Sequence, residues 1–218
     1  MHEETKELEI STSGINTSGV ILAGGKSSRM RFNKAFAEIS GRPVIHIILD
    51  KFASLFQEII IISNDPELYT CLGVPVYTDI YPRMGPVAGI HSALYHCSHD
   101  SAFVMGCDVP FMSMELVRMM ISRLDGYDSV VPRLDNQLQP LTAVYSRRCL
   151  PVLTSCLETN RVKLIRIFEE LNALEISRND IEKFGVAEEM FLNVNDIEAL
   201  NLAIQIAGRF GDKKQTQG

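Results

Sequence analysis

From Gly19 onward the chain alternates short apolar runs, in which neighbouring residues are all hydrophobic, with longer segments whose apolar residues recur on a helical period. That alternation is the mark of βαβ units. It restricts the chain to an α/β fold, a doubly wound, mainly parallel sheet with helices on both faces. Strands are expected at Gly19–Ala23, Glu58–Ser63, Pro75–Thr78, Ala102–Cys107, Ser129–Pro132 and Leu141–Ser146, with a short one at Phe191–Val194. Helices are expected from Pro43 to Phe56, from Val87 to Cys97, from an N-cap at Ser113 to Leu124, over Arg148–Leu157 and Val162–Leu171, and from Asp196 to Ala207. No internal repeat or linker interrupts the order. Residues 18–208 therefore read as a single domain, with a flexible extension over 1–17 and a mobile polar tail over 209–218.

Composition excludes several functions. With 21 Lys+Arg against 27 Asp+Glu, the net charge of −6 disfavours general electrostatic binding to nucleic acid or to an anionic membrane, so an anionic ligand must be held by a local site. The apolar runs fall far short of the roughly 18 to 20 residues that a membrane span needs. The N-terminal stretch carries Glu3, Glu4, Glu7 and Glu9 and no apolar core, unlike a secretory signal or an Arg-rich transit peptide, and a cytoplasmic location is expected. The five cysteines form no C-x-x-C pair, so reduced thiols are expected rather than a disulfide framework or a thiolate zinc site. His91, His96, Cys97 and His99 cluster, and on a helix His91, Tyr95 and His99 would share one face; a solvated polar face accounts for them without a metal.

Two features point to phosphate chemistry. Directly after the first strand comes LAGGKSSRM at 22–30, where adjacent glycines let backbone N–H groups approach an anion and Lys26, Arg29 and Lys34 supply positive charge. A phosphate-binding loop is one reading and an ordinary strand-to-helix turn the other. It is not a Walker A loop, which would need glycine where Val20 stands, nor does it carry the third glycine of a dinucleotide fingerprint. The second feature is Asp108, directly after AFVMGC. A carboxylate at the carboxyl end of a parallel strand can hold Mg²⁺ on a nucleotide, or can simply form a helix cap or Asx turn. Asp79, at the end of the third strand, projects toward the same edge.

The stretch GVILAGGKSSRMRFNKAFAEISGRPVI resembles the opening signature of the molybdenum cofactor guanylyltransferases, the MobA family. Further family elements follow in order: Asn64, Asp79, MGPVAGIHSAL at 84–94, CDVPFMS at 107–113, QPLTAVYSRRCLP at 139–151 and NVNDIEAL at 193–200. The resemblance covers about residues 18–205. It implies a Rossmann-like nucleotidyltransferase that transfers GMP from GTP to the phosphate of molybdenum-molybdopterin and releases pyrophosphate, with Mg²⁺ as cofactor. Proteins that deliver molybdopterin and molybdoenzymes that receive the product would be its partners; nucleic acid and membrane would not. The implied nucleotide contacts are Leu22, Ala23, Gly24, Gly25, Lys34, Asn64, Asp79 and Asp108, with Lys34, Asp108 and Arg29 catalytic and Asp108 the metal ligand. Asn193, Asn195 and Arg161 would meet the molybdopterin.

Two positions depart from the family pattern. Arg31 replaces the usual glycine after Arg-Met, and Asn33 replaces the usual aspartate before Lys34, which removes a possible partner for Lys34 or Arg29. These two departures keep open a catalytically weakened nucleotide-binding protein, and a second alternative within the same superfamily is a CTP-dependent enzyme acting on molybdopterin or on a sugar or polyol phosphate.

Overall fold

The computed structural model describes residues 15–24 and 33–215. Its strands are β1 (Ser18–Leu22), β2 (Glu38–Ile39), β3 (Arg42–Pro43), β4 (Ile59–Ile62), β5 (Val76–Tyr77), β6 (Ser101–Gly106), β7 (Ser129–Leu134), β8 (Gln137–Leu138), β9 (Thr142–Ser146) and β10 (Ala173–Ile176). Its helices are α1 (Val44–Ala53), α2 (Pro86–His96), α3 (Met114–Ser122), α4 (Leu150–Glu158), α5 (Leu164–Ile167), α6 (Arg178–Ile181), α7 (Ala187–Met190) and α8 (Ile197–Gln215). One sheet runs in the order β10-β7-β9-β6-β1-β4-β5, with β8 paired to β7 and a separate β2–β3 hairpin.

β1 is central, parallel to β4 on one side (Val20 opposite Ile60) and to β6 on the other (Val20 opposite Val104). β5 extends the parallel set beyond β4, whereas β9 runs antiparallel to both β6 and β7, and β10 is parallel to β7. The expected α/β, mainly parallel sheet is thus present. Neighbouring side chains leave opposite faces of a strand, so a strand covered on both faces must be apolar throughout. Ile21, Ile61, Phe103 and Met105 pack on α1, α3 and α6–α8, while Val20, Ile60, Ile62 and Val104 pack on α2 and α4. Helices on both faces follow. At Gly19 an added Cβ would lie 2.5 Å from Phe56 Cδ2, so β1 and the chain leaving α1 approach too closely there for a side chain.

Several boundaries differ from expectation. Pro43 is the N-cap of α1 rather than its first residue, because Arg42 and Pro43 pair with Ile39 and Glu38 in the β2–β3 hairpin. Val162–Leu171 yields only the short α5, and the edge strand β10 follows it without having been expected; its alternating residues include Glu175, which faces outward onto Arg133. Phe191–Val194 is not a strand. Thr17 is buried, its hydroxyl 2.7 Å from that of Ser101, although it was assigned to the N-terminal extension, and α8 continues past Ala207. Ser113 caps α3 as expected, accepting from Leu116 N at 3.3 Å. All five cysteines are free, and among the described residues no helix is long and apolar enough to cross a membrane.

Candidate active site

Parallel strands end on one edge of the sheet, and the polar residues that follow them gather there. β1 delivers Leu22, Ala23 and Gly24; the chain after β4 delivers Asn64, that after β5 Asp79, and that after β6 Asp108. The ladder extends past the strands: Ala23 N donates to Ile62 O at 2.9 Å, Ser63 N to Tyr77 O at 2.9 Å and Cys107 N to Leu22 O at 3.1 Å. These bonds hold the ends in register. Gly25 and Arg29, together with Lys26 and Arg31, lie outside the described residues.

On one side of β1, Asn64 donates to the Asp79 carboxylate at 2.7 Å. Helix α2 supports this pair: Ser92 Oγ accepts from Ile80 N at 2.8 Å, and Gly89 packs so near that an added Cβ would lie 3.3 Å from Leu22 Cδ2 and 3.9 Å from Asp79 Oδ1. Burial pushes the Asp79 carboxyl above its ordinary value, and the Asn64 amide draws it partly back.

On the other side, Lys34 opens a one-turn 3₁₀ helix (Lys34–Phe36), and its ammonium donates to Asn195 Oδ1 while standing 4.0 Å from Asp108 Oδ2. Asp108 is fixed through its backbone, because Val194 N donates to its carbonyl at 2.9 Å. That bond also places the 191–195 segment, so Phe191–Val194 serves as a brace for the site rather than as a strand. Burial raises the Asp108 carboxyl, and the Lys34 ammonium opposes the rise. Cys107 has its thiol pushed up to about 12 by burial, with the neighbouring Asp108 adding to the shift, so it remains a neutral thiol.

Beside this corner opens a cavity of about 360 Å³, bounded by Gly106, Asp108 and Val109 below, Gln139 to Leu141 with Thr142 at the start of β9, and Phe191, Asn193 and Asn195 across from them. Gly106 N donates to Leu141 O at 3.1 Å, which closes the floor. Gln139 and Thr142 belong to the family element at 139–151 and Phe191 to the strand expected at 191–194, but none of the three carried a site role. The family element at 139–151 was the available signal for the first two.

Arg161 is not brought to this cavity. It lies on the turn after α4, paired with Glu170 and bonded to Thr159, and neither of these lines the cleft. The histidines do not form one face either. α2 ends at His96; His91 is buried against Thr154, His96 stacks on Tyr77 at 4.2 Å, and His99 meets Ser18 at 3.0 Å. Among the described residues no group of three or more His, Cys, Asp or Glu gathers to hold a metal alone. The single Asp108 carboxylate beside carboxamide oxygens fits a hard cation that keeps water and shares its coordination with substrate phosphates.

A family model of the MobA-like NTP transferase domain matches residues 19–174. The chain belongs to this family. A Clostridium perfringens protein named as a probable molybdenum cofactor guanylyltransferase is 38% identical over 191 residues, covering 84% of this chain and 93% of that relative. A Desulfosudis oleivorans protein named molybdenum cofactor guanylyltransferase is 33% identical, over 85% and 93%. The crystal structure of molybdopterin-guanine dinucleotide biosynthesis protein A from Archaeoglobus fulgidus superposes with a TM-score of 0.78 at 25% identity, covering 88% of this chain and all of that one. As a MobA-like NTP transferase the protein is a nucleotidyltransferase of molybdenum cofactor biosynthesis, and the strand-end edge described above is where a Rossmann-like sheet takes its nucleotide.

Proposed function

We propose that this nucleotidyltransferase joins the GMP moiety of GTP to the terminal phosphate of molybdenum-molybdopterin. The observation that carries this reading is the meeting of the Lys34 ammonium, the Asp108 carboxylate and the Asn195 carboxamide at the mouth of a cavity on the strand-end edge. The main chain at Leu22 and Ala23 borders the nucleotide, and because Ala23 N is already bonded to Ile62 O, the triphosphate is taken by Gly24 with Gly25 and Arg29 beyond it. Lys34 neutralises its oxygens. The Asp79 carboxylate, steadied by Asn64, accepts from the guanine N1–H and N2–H₂ groups, a match that cytosine does not offer. Asn193 and Asn195 orient the acceptor phosphate, and the cavity takes the pterin.

The acceptor phosphate oxygen forms a bond to the α-phosphorus of GTP, and the bond from that phosphorus to the bridging oxygen breaks, its electron pair leaving with pyrophosphate. The nucleophile is already an anion at neutral pH, so the site needs no general base, in keeping with the neutral Cys107 thiol. The work left to the protein is alignment and charge compensation. A magnesium ion held by Asp108 would supply further neutralisation of the phosphate oxygens. Such an enzyme works in the cytoplasm, between the proteins that deliver molybdopterin and the molybdoenzymes that take up the product.

The test is pyrophosphate release with Mg²⁺ and molybdenum-loaded molybdopterin, comparing GTP, CTP, UTP and ATP. Release with GTP alone, with a guanine dinucleotide formed in equal amount, is the expected result. Release with CTP would overturn the base assignment, and silence with all four would overturn the transfer itself.

A further inference from the structure

Lys34 stands on a turn too short to hold itself. A single 3₁₀ turn leaves its first N–H groups without partners and has little cooperative stability, so neighbouring groups decide where its side chains point. Here Asn33 supplies both neighbours. Its Oδ1 accepts from Ala35 N at 3.1 Å, capping the turn, and its Nδ2 donates to the Tyr69 hydroxyl at 2.9 Å. The Tyr69 ring then stacks on Phe36, the last residue of the same turn, with centroids 5.7 Å apart and planes 22° from parallel. The turn carrying Lys34 is therefore gripped at both ends by one buried tyrosine.

Tyr69 is itself well anchored. It is 3% exposed, and its backbone N–H donates to Pro66 O at 3.0 Å. It belongs to the connection between β4 and β5, residues 63–75, which contains Asn64 near its start and leads through β5 to Asp79. Burial pushes its phenol up to about 12, so it stays neutral across the working pH range.

We propose that Tyr69, acting through Asn33, is a positioning residue that fixes Lys34 against Asp108 and Asn195 and couples the phosphate corner to the Asn64–Asp79 side of the site. The inference rests on the assignment of Lys34 to the nucleotide phosphates. It also accounts for the residue before Lys34. An amide there can accept from the turn and donate to Tyr69 at once, and Asn33 makes both bonds; loss of an aspartate at this position removes no partner from the Lys34 ammonium, which is held by Asn195 and Asp108.

The experiment measures the affinity of the full chain for inorganic triphosphate and for GTP by calorimetry, in the unsubstituted protein, Tyr69→Phe, Asn33→Ala, Asn33→Asp and Lys34→Ala, and in Tyr69→Phe combined with Lys34→Ala. Tyr69→Phe keeps the ring stack and removes only the hydroxyl. It and Asn33→Ala should weaken triphosphate binding about tenfold, as expected when a contact group is displaced by a fraction of an ångström to about an ångström. Asn33→Asp, whose carboxylate can accept from both Ala35 N and the phenol, should restore binding. If Tyr69 acts through Lys34, Tyr69→Phe should have no further effect once Lys34 is alanine. Unchanged binding in both Tyr69→Phe and Asn33→Ala would overturn the proposal, and so would an undiminished Tyr69→Phe effect in the Lys34→Ala background, which would mark a general structural role. Triphosphate binding involves neither the base nor the acceptor. A chain that binds triphosphate but transfers nothing from GTP would count against the proposed function, while the affinities alone still judge the tie.

Discussion

Asp79 carries an electrostatic cost that a pH titration can expose. Burial raises its folded-state carboxyl above the unfolded value, and the Asn64 hydrogen bond offsets only part of the rise. A carboxyl shifted in this direction contributes stability that is full below its unfolded pKa of about 3.9 and is lost as the pH climbs through the raised value. At pH 7 the ionised group is therefore a net burden on the fold. Asp79→Asn should melt at a higher temperature than the unsubstituted chain at pH 7, the gap closing as the pH falls toward about 4, while GTP affinity drops. Thermal melts across that range check the sign; a variant less stable at pH 7 would show that the carboxylate is satisfied in the folded state. The residues that sequence reasoning brought forward fared unequally. Asp108 was readable as a polar residue directly after an apolar strand run, whereas Lys34 was read from the charge of its loop and Asn195 from the family resemblance alone; the structure brings the three together although they are far apart in the chain. Arg161 had no such anchor, and the structure pairs it with Glu170 away from the cleft. Gln139 opens a quoted family element yet carried no site role, because it lies on a turn ahead of an antiparallel strand and periodicity alone does not tell which edge such a turn occupies.

At the level of elements, the junction of β6 with Asp108 is shaped by a missing side chain. A Cβ on Gly106 would come within 2.8 Å of Asp108 Oδ1, the free end of a side chain that can rotate away at little cost to the fold. Gly106→Ala should therefore leave stability within about 0.5 kcal/mol yet reduce turnover at least about tenfold by turning the carboxylate from its place. Denaturant melts and steady-state rates separate the two effects; a large loss of stability with normal activity in the surviving fold would contradict this use of the glycine. The buried parallel strands were the most legible elements, since Ile59–Ile62 and Ala102–Met105 are apolar on both faces and admit no other placement. Edge elements were not. β10 owes its place to pairing with β7 and to the Arg133–Glu175 contact, both set by residues some forty positions away. The 191–195 segment is held by the backbone bond from Val194 to Asp108, by burial of Val194 and by the Lys34–Asn195 contact, all set by residues remote in the chain.

For the whole molecule, the alternation of apolar runs and amphipathic segments determined the class of fold, and the family match over residues 19–174 agrees with it. What the alternation could not supply was the reversal of β9. That reversal points the Gln139–Thr142 turn toward the same edge as the parallel strand ends and so furnishes one wall of the cavity. One sheet thereby presents the Asn64–Asp79 pair on one side of β1 and the Lys34–Asp108 corner with its cavity on the other, an arrangement suited to two substrates meeting over the central strand. Transfer at that corner is tested most directly by following GTP labelled at its α-phosphorus into product, with molybdenum-loaded molybdopterin and saturating Mg²⁺, in the unsubstituted chain and in Asp108→Ala. Loss of a preorganised group that compensates charge in the transition state predicts a rate lower by at least about 100-fold. Near-normal transfer in Asp108→Ala would contradict the placement of the reaction beside Lys34 and Asp108.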